Sequence, residues 1–76
     1  MSIEIPIINM IATGENIRQL REIQGISVRE IQDALGFTNP QAIYKWQHGE
    51  SLPTIDNLVI LASVLGTTID DILVTE

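Results

Sequence analysis

Four polar side chains near the middle of the chain have a spacing suited to recognition of a partner. Gln41, Tyr44, Lys45 and His48 stand at positions i, i+3, i+4 and i+7, which share one face of an α-helix. An amide, a phenol, an amine and an imidazole add little to packing, but all can form hydrogen bonds with another molecule. The spacing fits two interpretations equally well: a binding face, or a helix face that is merely solvated.

The residues around this set predict a short helix. Asn39 is expected to be its N-cap and Pro40 its first residue, because proline needs no N–H there and disfavours a helical conformation in the residue before it. Gly49 is expected to end the helix in the left-handed conformation. The side facing the core is predicted to carry Ala42, Ile43 and Trp46.

Length and composition indicate one small domain of 76 residues, of which 45% are apolar. Because there is no cysteine, neither a disulfide nor a thiolate metal site is possible. There is no run of eighteen apolar residues, and the acidic start lacks the basic segment of a secretory signal. We therefore expect no membrane insertion and a cytoplasmic location.

The net charge of −6 opposes binding to a polyanion, since contacts with phosphates depend on Lys and Arg. The charges are unevenly distributed, however. All four cations lie between Thr13 and His48, where four acidic residues balance them, whereas residues 49–76 contain five acidic residues and no Lys or Arg. Any DNA-facing side is therefore expected in the first half, with modest and salt-sensitive binding.

The first twelve residues are predicted to form an N-terminal arm (1–12) beside a helical domain (13–76). Residues 3–8 alternate like a strand until Pro6 interrupts the donor pattern. Because a lone strand is unstable, the isoleucines of the arm are expected to pack on the helices or on a second copy.

The remaining helices are predicted from their caps and apolar spacing. The first is expected to begin between Asn9 and Thr13 and to end at Gln24, with Ile17, Leu20 and Ile23 inward. The second begins at the S-x-x-E capping box Ser27–Glu30. The fourth runs from the cap Thr54 to Leu65, and the fifth begins at the T-x-x-D pattern of Thr68 and ends near Val74.

Five short helices with short connections predict an all-α fold, a five-helix orthogonal bundle with an extended N-terminal arm. The second and third helices, joined by a tight turn containing glycine, match the helix-turn-helix motif. The second helix of that motif enters the DNA major groove.

Several motifs between Gly14 and Val74 resemble one family of regulators. They are Ile17-Arg18-x-Leu20-Arg21, Gly25-Ile26-Ser27, Leu35-Gly36, Ile43, Leu61-Ala62-x-x-Leu65-Gly66 and Asp71-Ile72-Leu73. Together they resemble the phage-repressor and Cro-type helix-turn-helix regulators, the XRE family, whose fold is lambda-repressor-like. Residues 44–53 are similar to a bacterial branch with a Y-K-W-x-x-G-x-x-x-P signature.

The resemblance implies sequence-specific binding to double-stranded DNA, with neither a cofactor nor a metal. The implied base-reading residues are Gln41 and Lys45, with Pro40 and Tyr44 beside them. Glutamine can pair with adenine, lysine can donate to guanine, and the tyrosine ring can touch a thymine methyl group. The residues implied to contact the DNA backbone are Ser27, Arg29, Asn39, His48 and Ser51.

The chain departs from the family pattern at several positions. Gln47 stands where the family often places a glutamate that pairs with the arginine at position 21, and Gln32 replaces a small residue in the second helix. The turn before the third helix is expected to be one residue longer than is usual in the family. Val28 and Glu50 replace residue types that commonly favour phosphate contact.

Catalysis is not expected, because the chain has one histidine, no cysteine and no suitably paired carboxylates. The main rival to DNA binding is a protein-interaction regulator, antitoxin-like or an anti-repressor, with the same fold and weak or no autonomous DNA binding. The acidic charge favours that rival. The outward face of the third helix favours DNA, since it carries no acid, whereas exposed apolar residues would be more usual on a protein-binding face.

The fourth helix predicts a homodimer. Its core side is expected to contain Ile55, Leu58, Leu61, Ala62 and Leu65. Ile60 and Val64 lie nearly opposite, one turn apart and beside Asn57, and these three residues form the predicted dimer interface. The alternative is that Ile60 and Val64 pack under the arm within one monomer.

Overall fold

The computed structural model describes residues 3–76, so the first two residues of the predicted arm lie outside the described part. Within it the chain forms five helices joined by short connections, which confirms the predicted all-α class. They are α1 (Met10–Ile23), α2 (Val28–Leu35), α3 (Gln41–Gln47), α4 (Ile55–Leu65) and α5 (Ile69–Ile72). No helix among residues 3–76 is long and apolar enough to span a membrane.

The caps predicted for α2 and α5 are present. The Ser27 hydroxyl oxygen accepts the Glu30 N–H at 3.0 Å, and the Glu30 carboxylate accepts the Ser27 N–H at 3.3 Å. The Thr68 hydroxyl oxygen accepts the Asp71 N–H at 3.2 Å. These bonds satisfy backbone donors that have no partner within their own helix, and so fix where each helix begins.

The starts of α3 and α4 differ in detail from the prediction. Pro40 occupies the N-cap position instead of Asn39, because its backbone (φ −90°, ψ 6°) is not helical and α3 begins one residue later. Asn39 still contributes, since its side-chain oxygen accepts the Gln41 N–H at 3.0 Å. Thr54 is the N-cap of α4, but its hydroxyl donates to Asp56 and lowers the pKa of that carboxyl group.

All five helices contribute to the core. Two residues predicted to be buried are exposed: Ile23 is 78% exposed and Ile55 is 80% exposed. Ile23 is the last residue of α1 and Ile55 the first residue of α4, so both stand at a helix end. The buried apolar residues are Ile17, Ile31, Ile43, Trp46, Leu58, Leu61, Ala62, Leu65 and Ile72.

Helices α1 and α3 approach each other closely at Gly14, which is buried in the middle of α1. A Cβ atom at this position would collide with the carbonyl oxygen of Trp46 and would lie 2.7 Å from that of Gln47. Glycine is therefore required here for its small size, although it is normally unfavourable inside a helix.

The arm is extended over residues 3–9 and is held at its base by the C-terminal segment. Ile8 forms an antiparallel bridge with Thr75, flanked by 2.8 Å hydrogen bonds from Asn9 N–H to the Val74 carbonyl and from Glu76 N–H to the Ile7 carbonyl. The side chains of Ile3, Ile5 and Ile7 are 84%, 81% and 61% exposed. The isoleucines at the tip of the arm thus do not pack on the helices of their own chain.

Candidate nucleic-acid interface

The structure brings the four outward residues of α3 to one exposed face. Gln41, Tyr44, Lys45 and His48 are all exposed, while the side facing the bundle contains buried Ile43 and Trp46. The Tyr44 and His48 rings are stacked, with centroids 6.5 Å apart. No acidic residue lies within α3, so the face offers a partner hydrogen-bonding groups and one positive charge.

The inner side of α3 is held by side-chain contacts with the preceding turn and with α1. The Trp46 ring meets the Phe37 ring edge to face, with centroids 5.9 Å apart. The buried Gln47 accepts a hydrogen bond from Arg21 Nε at 3.0 Å, and the same guanidinium donates to the Ile26 carbonyl at 3.1 Å. A neutral amide thus occupies the position where the resemblance implied a glutamate, and it still ties α1 to α3.

The turn between α2 and α3 has its own internal bond. Gly36 ends α2 in the left-handed conformation, with φ of 72°. The Gln32 side chain donates to the Phe37 carbonyl at 3.3 Å. The unusual glutamine of α2 therefore stabilises the turn that sets the position of α3.

Two of the four cations, Lys45 on α3 and Arg29 on α2, are exposed to solvent. Lys45 is exposed and forms no ion pair within residues 3–76. The side chain of Arg29 is 77% exposed and pairs with Asp33 at 3.2 Å; such an exposed pair contributes little and is easily exchanged for another anion. By contrast, Arg18 is held between Glu15 and Glu22 on α1.

The predicted backbone-contact residues lie at the start of α2 and at both ends of α3. Ser27 and Asn39 are exposed, and their oxygens serve the helix starts described above. His48 is exposed at the end of α3, with Glu50 3.6 Å from its Nδ1, while Ser51 in the following loop is half-buried. The site thus includes the Arg29 cation at the start of α2 and the Glu50 carboxylate just after α3.

The predicted dimer residues on α4 are only partly exposed. Ile60 is 39% exposed, Asn57 is half-buried, and Val64 is half-buried against the core of its own chain. Val64 therefore does not point away from the bundle as predicted. The pattern also missed Val59, which is 54% exposed.

The described residues contain no group of three or more His, Asp or Glu side chains placed to hold a metal ion. The exposed groups of α3 are hydrogen-bond donors and acceptors on a rigid convex helix. Their arrangement suits contact with another surface rather than transformation of a small molecule.

Comparison with known families matches a helix-turn-helix model to residues 17–72. The chain belongs to the helix-turn-helix family. The matched region extends from α1 through α5 and contains the pair of helices α2 and α3, of which α3 has the exposed polar face.

Two individual proteins are similar to this chain, one in sequence and one in fold. The 26 kDa repressor protein of Escherichia phage HK022 is 62% identical over 29 residues, which are 38% of this chain and 12% of the length of that repressor. The restriction-modification controller protein C.AhdI from Aeromonas hydrophila superposes with a TM-score of 0.73 at 19% identity, over 83% of this chain and 94% of that one.

One structural likeness involves an enzyme. Hydroxypropylphosphonic acid epoxidase from S. wedmorenis superposes with a TM-score of 0.74 at 27% identity, over 86% of this chain. Only 34% of the epoxidase is covered, so the likeness concerns a shared fold and brings no catalytic site to this chain.

Proposed function

We propose that this protein binds specific double-stranded DNA sites by inserting α3, from Pro40 to His48, into the major groove. The observation that carries the proposal is the division of α3 into a buried inner side and an exposed outer side that has polar groups and no acid. A major groove admits one α-helix and presents donors, acceptors and methyl groups to it.

Gln41 and Lys45 are proposed as the base-reading residues. Positions four apart are separated by about 6 Å along a helix, close to the length of two base-pair steps of about 3.4 Å each. Gln41 is proposed to pair with an adenine and Lys45 with a guanine about two base pairs away. Tyr44 lies between them, within reach of a thymine methyl group, and Pro40 contacts the groove at the helix start.

Contacts with the DNA backbone are proposed at both borders of this face. Ser27 and Arg29 at the start of α2 would contact one strand, and Asn39, His48 and Ser51 would contact phosphates near the ends of α3. Since only Arg29 and Lys45 are cations among these residues, few counterions are released on binding. We therefore expect modest affinity that falls as salt is added, with a slope set by these two cations.

Base reading is tested by selecting a preferred site from random DNA and measuring binding of the Gln41→Ala and Lys45→Ala variants. Each is expected to cost about 1–3 kcal/mol of binding free energy on the selected site and to relax preference at one position. Gln19→Ala, an exposed glutamine on α1, is the matched control and should bind like the parent protein. If both α3 variants fold and keep the parent's site preference, the assigned face is wrong.

The Arg29→Ala variant tests the phosphate contacts separately. It should weaken binding equally on selected and random DNA and reduce the slope of log affinity against log salt by about one. A change in site preference instead would place Arg29 among the base-reading residues. If no DNA sequence is bound at all, a role in binding another regulator becomes the better explanation.

The functional unit is proposed to be a homodimer in which Ile60 and Asn57 on α4 of one copy contact α4 of the other. Val64, which packs partly on the core of its own chain, lies beside them. Two weak half-sites about one DNA turn apart would then combine into useful affinity. Sedimentation equilibrium should show a dimer that Ile60→Asp dissociates, whereas Gln19→Asp, at an exposed polar position on α1, should dissociate it far less. A monomer well above micromolar concentration would eliminate this interface.

The branch of the family and the cellular location are also proposed. We propose that the chain belongs to the XRE branch with the Y-K-W-x-x-G-x-x-x-P pattern, which the signature over residues 44–53 supports. We also propose that it works in the cytoplasm, where an operator on a bacterial or phage genome would be found.

A further inference from the structure

The tip of the arm presents an apolar surface that its own chain leaves uncovered. Ile3, Ile5 and Ile7 alternate along an extended segment, so their side chains share one side of it. Their exposed fractions are 84%, 81% and 61%. The arm is anchored only at residues 7–9, by hydrogen bonds to the C-terminal segment.

A second uncovered apolar surface lies on α4. Ile55 and Val59 are one turn apart and share a side of the helix, and they are 80% and 54% exposed. Ile60, 39% exposed, borders them on the side of the proposed dimer contact. The arm of the same chain therefore does not cover this part of α4.

The two surfaces are comparable in size to one side of a protein interface. The six side chains, Ile3, Ile5, Ile7, Ile55, Val59 and Ile60, together expose an area on the order of 700 Å², against about 800 Å² per partner in a standard interface. The exposed surface is thus sufficient for a reciprocal contact between two copies.

We propose that the arm of one copy lies across Ile55 and Val59 on α4 of a second copy, and that the second copy's arm does the same in return. This inference rests on the proposed homodimer and extends it: the Ile60 side forms the contact about the two-fold axis, and the neighbouring side of α4 receives the arm. A two-fold arrangement satisfies both surfaces of both chains at once.

The chemistry of the arm determines the type of contact. Pro6 has no N–H to donate, and the arm meets a helix, whose backbone groups are already paired. The side of a helix presents side chains and no row of free backbone groups, so the arm binds through its isoleucine side chains and does not add a strand to a sheet. Glu4 alternates with the isoleucines and so points away from the α4 surface.

The charges predict an unusual response to salt. The arm carries Glu4 and α4 carries Asp56, and neither segment contains a cation. Like charges repel less when salt screens them. Added salt should therefore strengthen the dimer while it weakens binding to DNA.

The test uses the absence of cysteine from the chain. Full-length Ile5→Cys and Val59→Cys variants are mixed and oxidised, and the covalent heterodimer is measured. The expected result is a several-fold higher yield than in a matched mixture of Glu4→Cys with Val59→Cys, because Glu4 lies on the other side of the arm. Equal yields from the two mixtures, or no heterodimer, would overturn the proposal.

The double variant Ile5→Cys/Val59→Cys distinguishes exchange between copies from folding back within one. Under dilute conditions an internal disulfide, seen as a faster-migrating monomer, would show that the arm reaches its own α4 and would overturn the proposal. In addition, Ile5→Asp is expected to raise the dimer dissociation constant by at least about a hundredfold, because the symmetric dimer loses two buried isoleucines.

DNA binding is measured separately from cross-linking, so that failure of the arm contact and failure of the proposed function give different results. If the selected site is bound but the cysteine pairs do not cross-link, the arm contact fails while the proposed function stands. If cross-linking succeeds but no sequence is preferred, the arm contact stands while the proposed function fails.

Discussion

Helix α3, residues 41–47, and the described extended part of the N-terminal arm, residues 3–9, are attached to the fold by different means. In α3, the side chains of Ile43, Trp46 and Gln47 are buried. The arm makes two flanking backbone hydrogen bonds at its base and leaves the isoleucines at its tip exposed. One segment is held by buried side chains, and the other by its backbone at one end.

These two modes of attachment determine which segment is preorganised. A helix fixed by close packing presents its outer groups in one geometry before the partner arrives, and this lowers the entropic cost of binding. A segment with little buried surface opens at low free-energy cost and can adjust to a partner. The structure thus separates a rigid contact surface from an adaptable one, and four substitutions test that separation.

The largest effect is expected from Trp46→Ala. It removes a large, 4% exposed side chain from the centre of the core, which should cost about 3–5 kcal/mol of unfolding free energy. Urea unfolding followed by circular dichroism measures the loss. The control is Tyr44→Ala on the outer side of the same helix, which should change stability by less than about 1 kcal/mol; equal losses in the two variants would show that α3 is not held from its inner side.

Gly14→Ala should have the next largest effect. Helix propensity alone favours alanine over glycine by about 1 kcal/mol, but the added methyl group would collide with backbone carbonyls of α3. Overpacking typically costs about 1–3 kcal/mol. A collision with backbone atoms, which cannot move aside as a side chain does, belongs at the upper end of that range, so after the gain in helix propensity we expect a net destabilisation of about 2 kcal/mol in thermal or urea unfolding. A stabilised variant would mean that α1 and α3 can separate without cost.

Thr13→Val probes the attachment of the segment that holds the arm. The fully buried Thr13 hydroxyl oxygen accepts the Val74 N–H at 3.0 Å. Valine keeps the shape but leaves that N–H unpaired, which should cost about 1–2 kcal/mol of unfolding free energy. Thr13→Ser retains the hydroxyl and should lose less; if serine and valine are equally destabilising, the methyl group matters and the hydrogen bond does not.

The smallest effect is expected from Ile5→Ser at concentrations where the protein is monomeric. Because Ile5 is 81% exposed, the free energy of unfolding should change by no more than about 0.5 kcal/mol. Repeating the melt at high concentration should reveal a larger difference, since only the parent protein gains stability from association. A large loss under dilute conditions would show that the arm is part of the monomer core.

Local chemistry made much of the fold predictable from the sequence. The capping box at Ser27 and the pattern at Thr68 depend on residues three positions apart, and Gly49 ends α3 at φ of 75° as expected. The two faces of α3 followed from helical periodicity for the same reason. Such features require no knowledge of distant parts of the chain.

The wrong predictions of burial concern residues whose exposure is decided by contacts with distant parts of the chain. A helical wheel assigns Ile23 and Ile55 to the inner side, but it does not show whether the rest of the fold covers a residue at a helix end. It likewise placed Val64 outside, although that side chain packs partly on the core. The close approach at Gly14 is a distance between two helices, and the hydrogen bond of Gln47 with Arg21 spans 26 positions; periodicity carries no signal for either.

The division of α3 into two sides also has an evolutionary consequence. The residues that hold the helix in place, such as Ile43 and Trp46, are different from those proposed to read bases, Gln41 and Lys45. Exposed positions tolerate substitution with small changes in stability. New DNA targets are therefore accessible by changing the outer residues alone, and a regulator of this design can diverge in specificity without first becoming more stable.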